Sequence, residues 1–139
     1  MQVSEVMTPD PVTIPIGSTV LDAAKIMKEK DCGILPVMDG DTTVGVVTDR
    51  DIVIWAAAEE KNLAETPITD IMSKELVTCQ PAELLENIAD RMTMSDVRRL
   101  VVLDKDGRLA GIISIHDLLL NTGDESITDE VIHHVLRYA

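Results

Sequence analysis

Two stretches of the chain space their apolar residues at intervals of 0, 3, 4 and 7, which predicts one buried stripe on each of two helices. The stripes are Val20, Ala23, Ala24 and Met27 in the first stretch, and Leu85, Ile88, Ala89 and Met92 in the second. Ser18 precedes the first stripe and is predicted to be the N-cap of that helix. The methionine that ends each stripe is interpreted as a core residue and not as a cofactor ligand.

Extended segments surround each predicted helix. Pro11–Ile14 and Leu76–Cys79 are short extended runs set off by proline. Two hairpins, each joined by an Asp/Gly turn, are predicted from β-rich runs: Ile34–Met38 with Thr43–Val47, and Leu100–Leu103 with Leu109–Ile113. A second helix is predicted to begin near Thr48 and near Ser114, the first of them continuing through Trp55 to Lys61. Each half of the chain therefore has the order β-α-β-β-α.

The two halves are copies of one another. An offset of 65 residues aligns positions 3–39 with 68–104 and gives nine identical pairs, Met7/Met72 and Thr13/Thr78 among them. We predict repeat 1 at residues 1–66, repeat 2 at 67–122 and a helical tail at 123–139. A unit of about 60 residues buries little surface alone. Two α+β repeats are therefore expected to pack in pseudo-twofold fashion through their sheets, with related clefts between them.

Composition and charge argue against several classes of binding partner. The 139 residues are 45% hydrophobic and 1% aromatic, and they carry a formal net charge of −13. Such a charge repels phosphate backbones, and one Trp and one Tyr provide no stacking platform. We therefore expect neither nucleic acid nor an anionic membrane surface as a partner.

Targeting and cysteine patterns favour a cytoplasmic protein. Residues Met1–Glu5 have neither a basic region nor an apolar stretch, so we expect no signal peptide. No apolar run reaches the roughly 18–20 residues that a membrane helix needs. Cys32 and Cys79 lack CxxC spacing and are interpreted as small buried hydrophobes in a reducing compartment.

The most specific local pattern is a hydroxyl residue followed three positions later by a carboxylate, at Thr48/Asp51 and again at Ser114/Asp117. One interpretation is a capping box, which needs no ligand. The other uses the free N–H groups and positive dipole end of a helix start, which suit a phosphate. The carboxylate would then accept hydrogen bonds from ribose hydroxyls.

These residues carry a family resemblance. Val6-Met7-Thr8, Ile34-Leu35-Pro36-Val37, Gly45–Ile52 and Arg98–Asp104 resemble the motifs of a CBS domain, and two copies resemble a CBS pair, or Bateman module. The resemblance spans about residues 3–121. It implies a non-catalytic regulatory module that binds AMP, ADP, ATP or S-adenosylmethionine. Such a module requires no cofactor, and any Mg²⁺ would accompany bound ATP.

The resemblance also implies roles for single residues. Asp51 and Asp117 would hold ribose, and Thr48 and Ser114 would hold phosphate. The adenine pocket would be lined at six positions: Thr13, Ile34, Pro36, Thr78, Arg99 and Val101. Val101 departs from the proline that the family often has there, and repeat 1 keeps that proline at position 36.

Basic residues make the repeats unequal. Arg98 and Arg99 stand where repeat 1 has Gly33 and Ile34. With Arg50 and His116 at the helix starts, they form the cluster that an anionic ligand requires in an acidic chain. The alternative is that Arg98 and Arg99 form surface ion pairs of little energetic value with Asp96 or glutamates.

The remaining candidates are structural. Trp55 is interpreted as a core or interface anchor. His133 and His134 form a possible metal pair, but adjacent helical residues diverge by about 100°, so a solvated helix face is the preferred interpretation. Four further predictions concern the tail: Ser126 or Thr128 caps its helix, and Val131, Val135 and Leu136 dock it on the module or on a second subunit.

Three classes of function follow. The first is an adenine-nucleotide (energy) sensor that relays occupancy to an unidentified protein partner. It is expected to be a homodimer with Ile52 and Leu118 near the contact. The second is a ligand-free assembly module whose clefts are vestigial. The third is a hydrolase in which Asp49, Asp51 and Asp117 converge; it is disfavoured because the sequence has no P-loop, catalytic triad or metal cluster.

Overall fold

The computed structural model describes residues 1–136 of the chain. In chain order the elements are α1 (Val3–Val6), β1 (Thr8–Pro9), β2 (Ile14–Pro15), α2 (Val20–Lys30), β3 (Ile34–Asp39), β4 (Thr42–Thr48), α3 (Asp49–Asp51), a π-helix (Ile52–Ala57), a 3₁₀ turn (Ile68–Asp70), β5 (Thr78–Cys79), α4 (Leu85–Ser95), β6 (Arg99–Leu103), β7 (Leu109–Ser114), α5 (Ile115–Asn121) and α6 (Glu125–Leu136). The α+β class is confirmed, and both predicted hairpins form.

Two compact units divide the chain. The repeat-1 unit is Pro11–Leu76, and the repeat-2 unit joins Met1–Asp10 to the described part of Val77–Ala139. Residues 67–76, which the sequence places in repeat 2, therefore belong to the repeat-1 unit, and residues 1–10, which it places in repeat 1, belong to the repeat-2 unit. Each unit has its own apolar core, with Leu35, Val37 and Val47 in the first and Leu100, Val102 and Ile113 in the second.

Each unit is built on one small sheet. The repeat-1 sheet has the order β2-β3-β4, with β2 parallel and β4 antiparallel to β3. The repeat-2 sheet has the order β1-β7-β6-β5, in which β5 is parallel to β6 and β1 is antiparallel to β7. In both sheets the short strand before the long helix forms an edge.

The predicted stripes form the buried faces of α2 and α4, with Ala24 alone among their residues only half-buried. Met27 and Met92 lie in the two cores, as expected. The N-cap prediction is wrong by one residue, because Thr19 and not Ser18 begins α2. Thr19 Oγ1 accepts from the Asp22 N–H (3.2 Å), and Asp22 Oδ2 accepts from the Thr19 N–H (2.9 Å). This reciprocal pair requires a side-chain acceptor three residues beyond the cap, which Asp22 provides.

A segment at the start of each repeat pairs with the outer strand of the other copy's hairpin. In the repeat-1 unit, Val46 of β4 forms an isolated antiparallel bridge with Ser73. In the repeat-2 unit, Thr8 of β1 pairs with Ile112 of β7. The pattern along the chain did not predict this exchange.

The second helix of repeat 1 is shorter than predicted. The regular helix ends after Asp51 and continues as a π-helix to Ala57, so the expected run to Lys61 is wrong. Glu60 has a positive φ of 54°, which turns the chain away from the helix axis. Trp55 is 54% exposed in this unit and is therefore no core residue, whereas Leu118 is fully buried and belongs to the repeat-2 core, not to a surface.

The tail prediction is partly right. α6 begins at Glu125, and Asp124 Oδ1 accepts from the Ser126 N–H (2.9 Å), so the capping role expected of Ser126 or Thr128 belongs to Asp124. Val131 is buried and Val135 packs on the repeat-2 core, but Leu136 is 63% exposed. The end of the predicted tail, residues 137–139, lies outside the described residues.

The histidine interpretation is wrong for His134. Its side chain is buried against the core, and its Nε2 lies 3.1 Å from the Val97 carbonyl oxygen, while His133 is exposed. A polar side chain on the buried face is tolerated because a carbonyl acceptor meets the ring. Among residues 1–136, no helix is long and apolar enough to cross a membrane.

Candidate functional site

The hydroxyl–carboxylate motif of repeat 1 lies where β4 ends and α3 begins. The Asp51 N–H donates to Thr48 Oγ1 (3.2 Å), and the Thr48 N–H donates to Asp51 Oδ2 (2.9 Å). The predicted capping box is therefore present. Within residues 1–136, Asp51 Oδ1 accepts no hydrogen bond, and the residue is only half-buried, so this oxygen is open to a further donor.

The motif of repeat 2 repeats this geometry. The Asp117 N–H donates to Ser114 Oγ (3.2 Å), and Asp117 Oδ2 accepts both from the Ser114 N–H (2.8 Å) and from its hydroxyl (3.1 Å). In the described chain, Asp117 Oδ1 likewise accepts nothing. The duplicated geometry leaves one carboxylate oxygen available in each unit.

Strand register gathers the other repeat-1 candidates at one end of their sheet. Ile34 pairs with Thr48 across the β3–β4 hairpin, and Pro36 pairs with Val46. Thr13 immediately precedes β2, whose Ile14 pairs with Val37. We call this set the repeat-1 site: Thr13, Ile34, Pro36, Thr48, Arg50 and Asp51.

The repeat-2 candidates are arranged in the same way. Arg99 pairs with Ser114, and Val101 pairs with Thr78 of the edge strand. We call this set the repeat-2 site: Thr78, Arg98, Arg99, Val101, Ser114, His116 and Asp117. The first residue of each hairpin thus lies beside the first residues of the helix that follows it within each unit.

The basic candidates differ in their surroundings. Arg50 and His116 are exposed in the first turns of α3 and α5. The Arg98 carbonyl accepts from the Ile115 N–H (2.9 Å), as the Gly33 carbonyl does from the Asp49 N–H (3.0 Å). Arg99 is half-buried on β6, and its guanidinium has no hydrogen-bond or ion-pair partner within residues 1–136. A half-buried cation of this kind suits an anionic ligand.

Sequence reasoning missed an ion pair beside the repeat-2 site. Arg91 of α4 contacts Glu83 through two nitrogens, Nη1 to Oε2 (3.0 Å) and Nη2 to Oε1 (2.6 Å), and Nη1 also donates to the Thr78 carbonyl (2.9 Å). The hydrogen bonds from Arg91 lower the pKa of the Glu83 carboxyl, and the same contact raises the pKa of Arg91. The available signal was Arg91 itself, which stands where repeat 1 has Ile26.

The cysteines are thiols. Cys79 is buried, as predicted, and burial raises its pKa to about 12. Cys32 is half-buried, and burial raises its pKa as well. A thiol held protonated is a poor nucleophile and a poor metal ligand. No group of three or more His, Cys, Asp or Glu side chains within residues 1–136 is arranged to hold a metal ion.

Comparison with known proteins identifies relatives of this arrangement. The sequence pattern of the CBS domain matches the chain twice, over residues 3–58 and 68–122. The CBS domain-containing protein YhcV of Bacillus subtilis (strain 168) is 34% identical over 119 residues, which cover 86% of this chain and 84% of that protein.

Solved structures agree with the sequence match. The conserved CBS domain protein TA0289 of Thermoplasma acidophilum, described as of unknown function, has a TM-score of 0.84 at 30% identity, covering 96% of this chain and 76% of that one. The CBS domain pair of protein MJ0100 has a TM-score of 0.77 at 26% identity, covering 85% of this chain and 96% of that one. That pair was solved in complex with 5′-methylthioadenosine and S-adenosyl-L-methionine.

Proposed function

The chain belongs to the CBS domain family, and on that premise we propose that it is a non-catalytic regulatory module that binds an adenosyl ligand. AMP, ADP and ATP are the preferred ligands, and S-adenosylmethionine is the related alternative. The observation that carries the proposal is the duplicated junction in which Asp51 and Asp117 each keep one carboxylate oxygen available. The adenosyl ligands bound by the similar MJ0100 pair support it.

The chemistry of each junction fits the parts of a nucleotide. The available oxygens of Asp51 and Asp117 accept from ribose hydroxyls, as acidic residues do in other nucleotide folds. Thr48 and Ser114 lie at helix starts, where a phosphate meets a hydroxyl and the positive end of the helix dipole. Arg99 adds a charge for the phosphate, and any Mg²⁺ enters with ATP.

The readout of ligand binding is proposed to be conformational. A ligand that binds one arrangement of the chain more tightly than another shifts the population toward it. A second copy of the chain and a further protein partner are the proposed receivers of that shift.

Isothermal titration with AMP, ATP and S-adenosylmethionine tests the proposal. We expect saturable binding of at least one of them, and guanosine monophosphate serves as the control for a nucleotide of similar charge. Heats that stay at the dilution level for all three adenosyl compounds would contradict ligand binding.

A second candidate function, a ligand-free assembly module, is favoured by the capping boxes. Thr48 and Asp51 satisfy one another without a ligand, as Ser114 and Asp117 do. If this function is correct, the chain self-associates to the same extent with and without adenosyl compounds. The same titration, combined with light scattering, separates the two candidates.

A further inference from the structure

The π-helix of repeat 1 ends beside a cavity of about 370 Å³ that lies within the repeat-1 unit. This volume is within the range of small-molecule pockets, roughly 300–1,000 Å³. None of the lining residues belongs to the repeat-1 site, so the nucleotide contacts proposed above do not account for it. We call it the Trp55 cavity, and six residues line it: Trp55, Glu59, Lys61, Asp70, Ile71 and Met72.

The turn that ends the π-helix holds one part of the cavity wall. The Lys61 N–H donates to the Ala56 carbonyl (3.0 Å). The Glu60 N–H donates to the Ala57 carbonyl (3.1 Å), and Glu60 itself has a positive φ of 54°. These are the two hydrogen bonds and the left-handed residue of a Schellman motif. Glu59 and Lys61 are therefore positioned by a defined helix end, next to a π-helical segment of the kind that is frequent at functional sites.

The rest of the wall and the floor come from the 3₁₀ turn that starts at Ile68. Asp70 belongs to this turn, and the Ile71 and Met72 N–H groups donate to the Ile68 carbonyl (3.1 and 2.9 Å). Ile71 is buried, and Met72 is half-buried against the strand that carries Gly45, where an added Cβ would lie 2.9 Å from Met72 Sδ. The cavity thus has an apolar floor that is held in place by packing.

The charged groups around the cavity have no partners of their own. Within residues 1–136, no hydrogen bond or ion pair joins the side chain of Glu59, Lys61 or Asp70 to another residue. Two carboxylates and one ammonium leave an excess of one negative charge. Trp55 is 54% exposed and adds the electron-rich face of its indole. A cation is therefore the complementary ligand, and the chain's net charge of −13 raises the local concentration of cations.

Among organic cations, a guanidinium on an aliphatic stem matches every group in the cavity. It is planar and weakly hydrated and stacks on aromatic faces, whereas an ammonium is compact and strongly hydrated. Its N–H groups suit the carboxylates of Glu59 and Asp70. Its stem suits the apolar surface of Ile71 and Met72.

The repeat-2 unit does not reproduce these groups. The offset of 66 residues between the two hydroxyl–carboxylate motifs places Asn121 opposite Trp55 and Ile127 opposite Lys61. Asn121 has no aromatic ring, and Ile127 is a buried residue of the repeat-2 core, to which α6 brings it. The indole is thus a feature of repeat 1 that the duplication does not explain.

We propose that the Trp55 cavity binds the guanidinium group of an arginine-like ligand, stacked on the indole and paired with Glu59 and Asp70. The group has two sources, a free alkylguanidine or an arginine side chain presented by a partner protein. This binding is separate from that of an adenosyl compound, so either one can fail without the other.

The fluorescence of Trp55 tests the proposal directly, because the chain has one tryptophan. Titration of the full chain with butylguanidinium is expected to change the Trp55 emission saturably. Butylurea, a neutral compound of nearly the same shape, is expected to change nothing. Equal responses to the two compounds, or no response to either, would overturn the proposal. A response that follows the concentration of the chain and not that of butylguanidinium would also overturn it, because self-association would then be the cause.

Peptides distinguish the two sources of the guanidinium group. If acetyl-Gly-Arg-Gly-amide binds more tightly than butylguanidinium, the cavity receives an arginine of a partner protein, and if it binds more weakly, the ligand is a free alkylguanidine. The same peptide with citrulline in place of arginine keeps the shape without the charge and is expected not to bind. A citrulline peptide as effective as the arginine peptide would contradict recognition of a cation.

Substitutions in the cavity assign the binding to these residues by calorimetry. Trp55→Leu should weaken butylguanidinium binding by about three- to ten-fold, the effect of losing a cation–π contact. Glu59→Gln combined with Asp70→Asn should weaken it by a similar factor. Lys61→Met removes a like charge and should strengthen binding by about two-fold, a gain that a merely unfolded variant would not give. Wild-type affinity in the Trp55→Leu protein would overturn the assignment to this cavity.

Asp41→Asn combined with Glu65→Gln is the matched control. It removes two exposed carboxylates of the same unit that do not line the cavity. Its affinity for butylguanidinium should stay within about two-fold of the wild type, because solvent and salt screen exposed charges at a distance. If the control loses as much affinity as the Glu59/Asp70 variant, the net charge of the chain attracts the cation, and the proposed site is wrong.

Discussion

Val46 and Ser73 exchange two backbone hydrogen bonds, Val46 N–H to the Ser73 carbonyl (3.0 Å) and Ser73 N–H to the Val46 carbonyl (2.9 Å). The strand before the site of repeat 1 is thus held by the segment that starts repeat 2. Thr8 and Ile112 are paired in the equivalent place of the other unit. A sheet edge that would otherwise be open is closed in each case, which also blocks pairing with other chains.

The approach of Ser73 is close enough to require glycine beside it. A Cβ added at Gly45 would lie 2.7 Å from the Ser73 carbonyl oxygen and 2.9 Å from Met72 Sδ. We expect Gly45→Ala to lower the free energy of unfolding by roughly 2 kcal/mol, because the backbone must shift. For a domain of this size, the melting temperature should fall by about 6–8 °C in a calorimetric scan.

Gly17→Ala is the control for this substitution. Nothing lies within 4 Å of a Cβ at Gly17, so its melting temperature should stay within about 1–2 °C of the wild type. A Gly45→Ala protein that melts with the wild type would show that the bridge between Val46 and Ser73 opens without cost.

Local sequence patterns predicted the helices and hairpins of this fold. They did not predict the contacts between segments that are far apart in the chain. The helix stripes ending at Met27 and Met92 and the two hairpins depend on residues near one another in the chain, so periodicity and turn chemistry were sufficient. The Val46–Ser73 bridge joins segments 27 positions apart and has no periodic signature. His134 was assigned to a solvated helix face because its side chain is polar. The structure instead buries it, with its Nε2 3.1 Å from the Val97 carbonyl oxygen.

The same division applies to the candidate site. Thr48, Asp51 and their repeat-2 counterparts could be proposed from the sequence because a motif and its duplication mark them, and the capping geometry predicted for them is present. The Arg91–Glu83 pair joins residues eight positions apart, one on α4 and the other in the loop before it, a spacing that no helix rule connects. Alignment of the copies shows Arg91 opposite Ile26, yet only the structure identifies the Thr78 carbonyl as its target.

The available oxygens of Asp51 and Asp117 predict selectivity for ribose over deoxyribose. A carboxylate that loses its hydroxyl partner loses a hydrogen bond to a charged group, worth about 1.5–3 kcal/mol. We therefore expect 2′-deoxy-AMP to bind roughly ten-fold or more weakly than AMP in titration calorimetry. Equal affinities of the two nucleotides would rule out ribose binding by these carboxylates.

Arg99 is expected to contribute to the binding affinity of phosphate-bearing ligands and not to that of adenosine. Because its half-buried guanidinium has no ion-pair partner among the described residues, Arg99→Ala should weaken ATP and ADP by roughly ten- to hundred-fold while adenosine changes little. Thermal shift measures this readily, since ligand at a hundred times its Kd stabilises the folded state by about 2.7 kcal/mol.

The exposed Arg108→Ala is the matched control for charge, and its ATP shift should equal that of the wild type. An Arg99→Ala protein that keeps the full ATP shift, or that loses the adenosine shift equally, would make Arg99 a structural residue.

Self-association is expected to use exposed apolar residues on the second helix of each repeat. Val53 and Trp55 are 61% and 54% exposed on the π-helix, and Leu120 is 68% exposed on α5. We expect light scattering to give about twice the chain mass of 15.2 kDa, and Val53→Asp combined with Leu120→Asp to give the monomer. Met94→Asp, at a residue that is 87% exposed on α4, should remain dimeric. A wild-type monomer at micromolar concentration would contradict this prediction.

The carboxyl group of Glu130, on α6, makes the free energy of unfolding depend on pH. Burial and its hydrogen bond with Asp90 raise the pKa of the Glu130 carboxyl above its ordinary value of 4.5, with Thr93 and His134 acting in the opposite direction. The folded state therefore binds the Glu130 proton more tightly than the unfolded chain does. The stabilisation from that proton is fully present below about pH 4.5 and is lost as the pH rises through the folded-state pKa.

Glu130→Gln tests this sign, because a glutamine cannot ionise and its amide donates to Asp90. The variant is expected to melt at a higher temperature than the wild type at pH 7, and the difference should shrink as the pH falls toward 4.5. Glu59→Gln, on an exposed turn of the other unit, removes the same charge and controls for the general effect of net charge in this acidic chain. A Glu130→Gln protein whose gain at pH 7 is no larger than that of Glu59→Gln would show that α6 packs on α4 without strain from the Asp90–Glu130 pair.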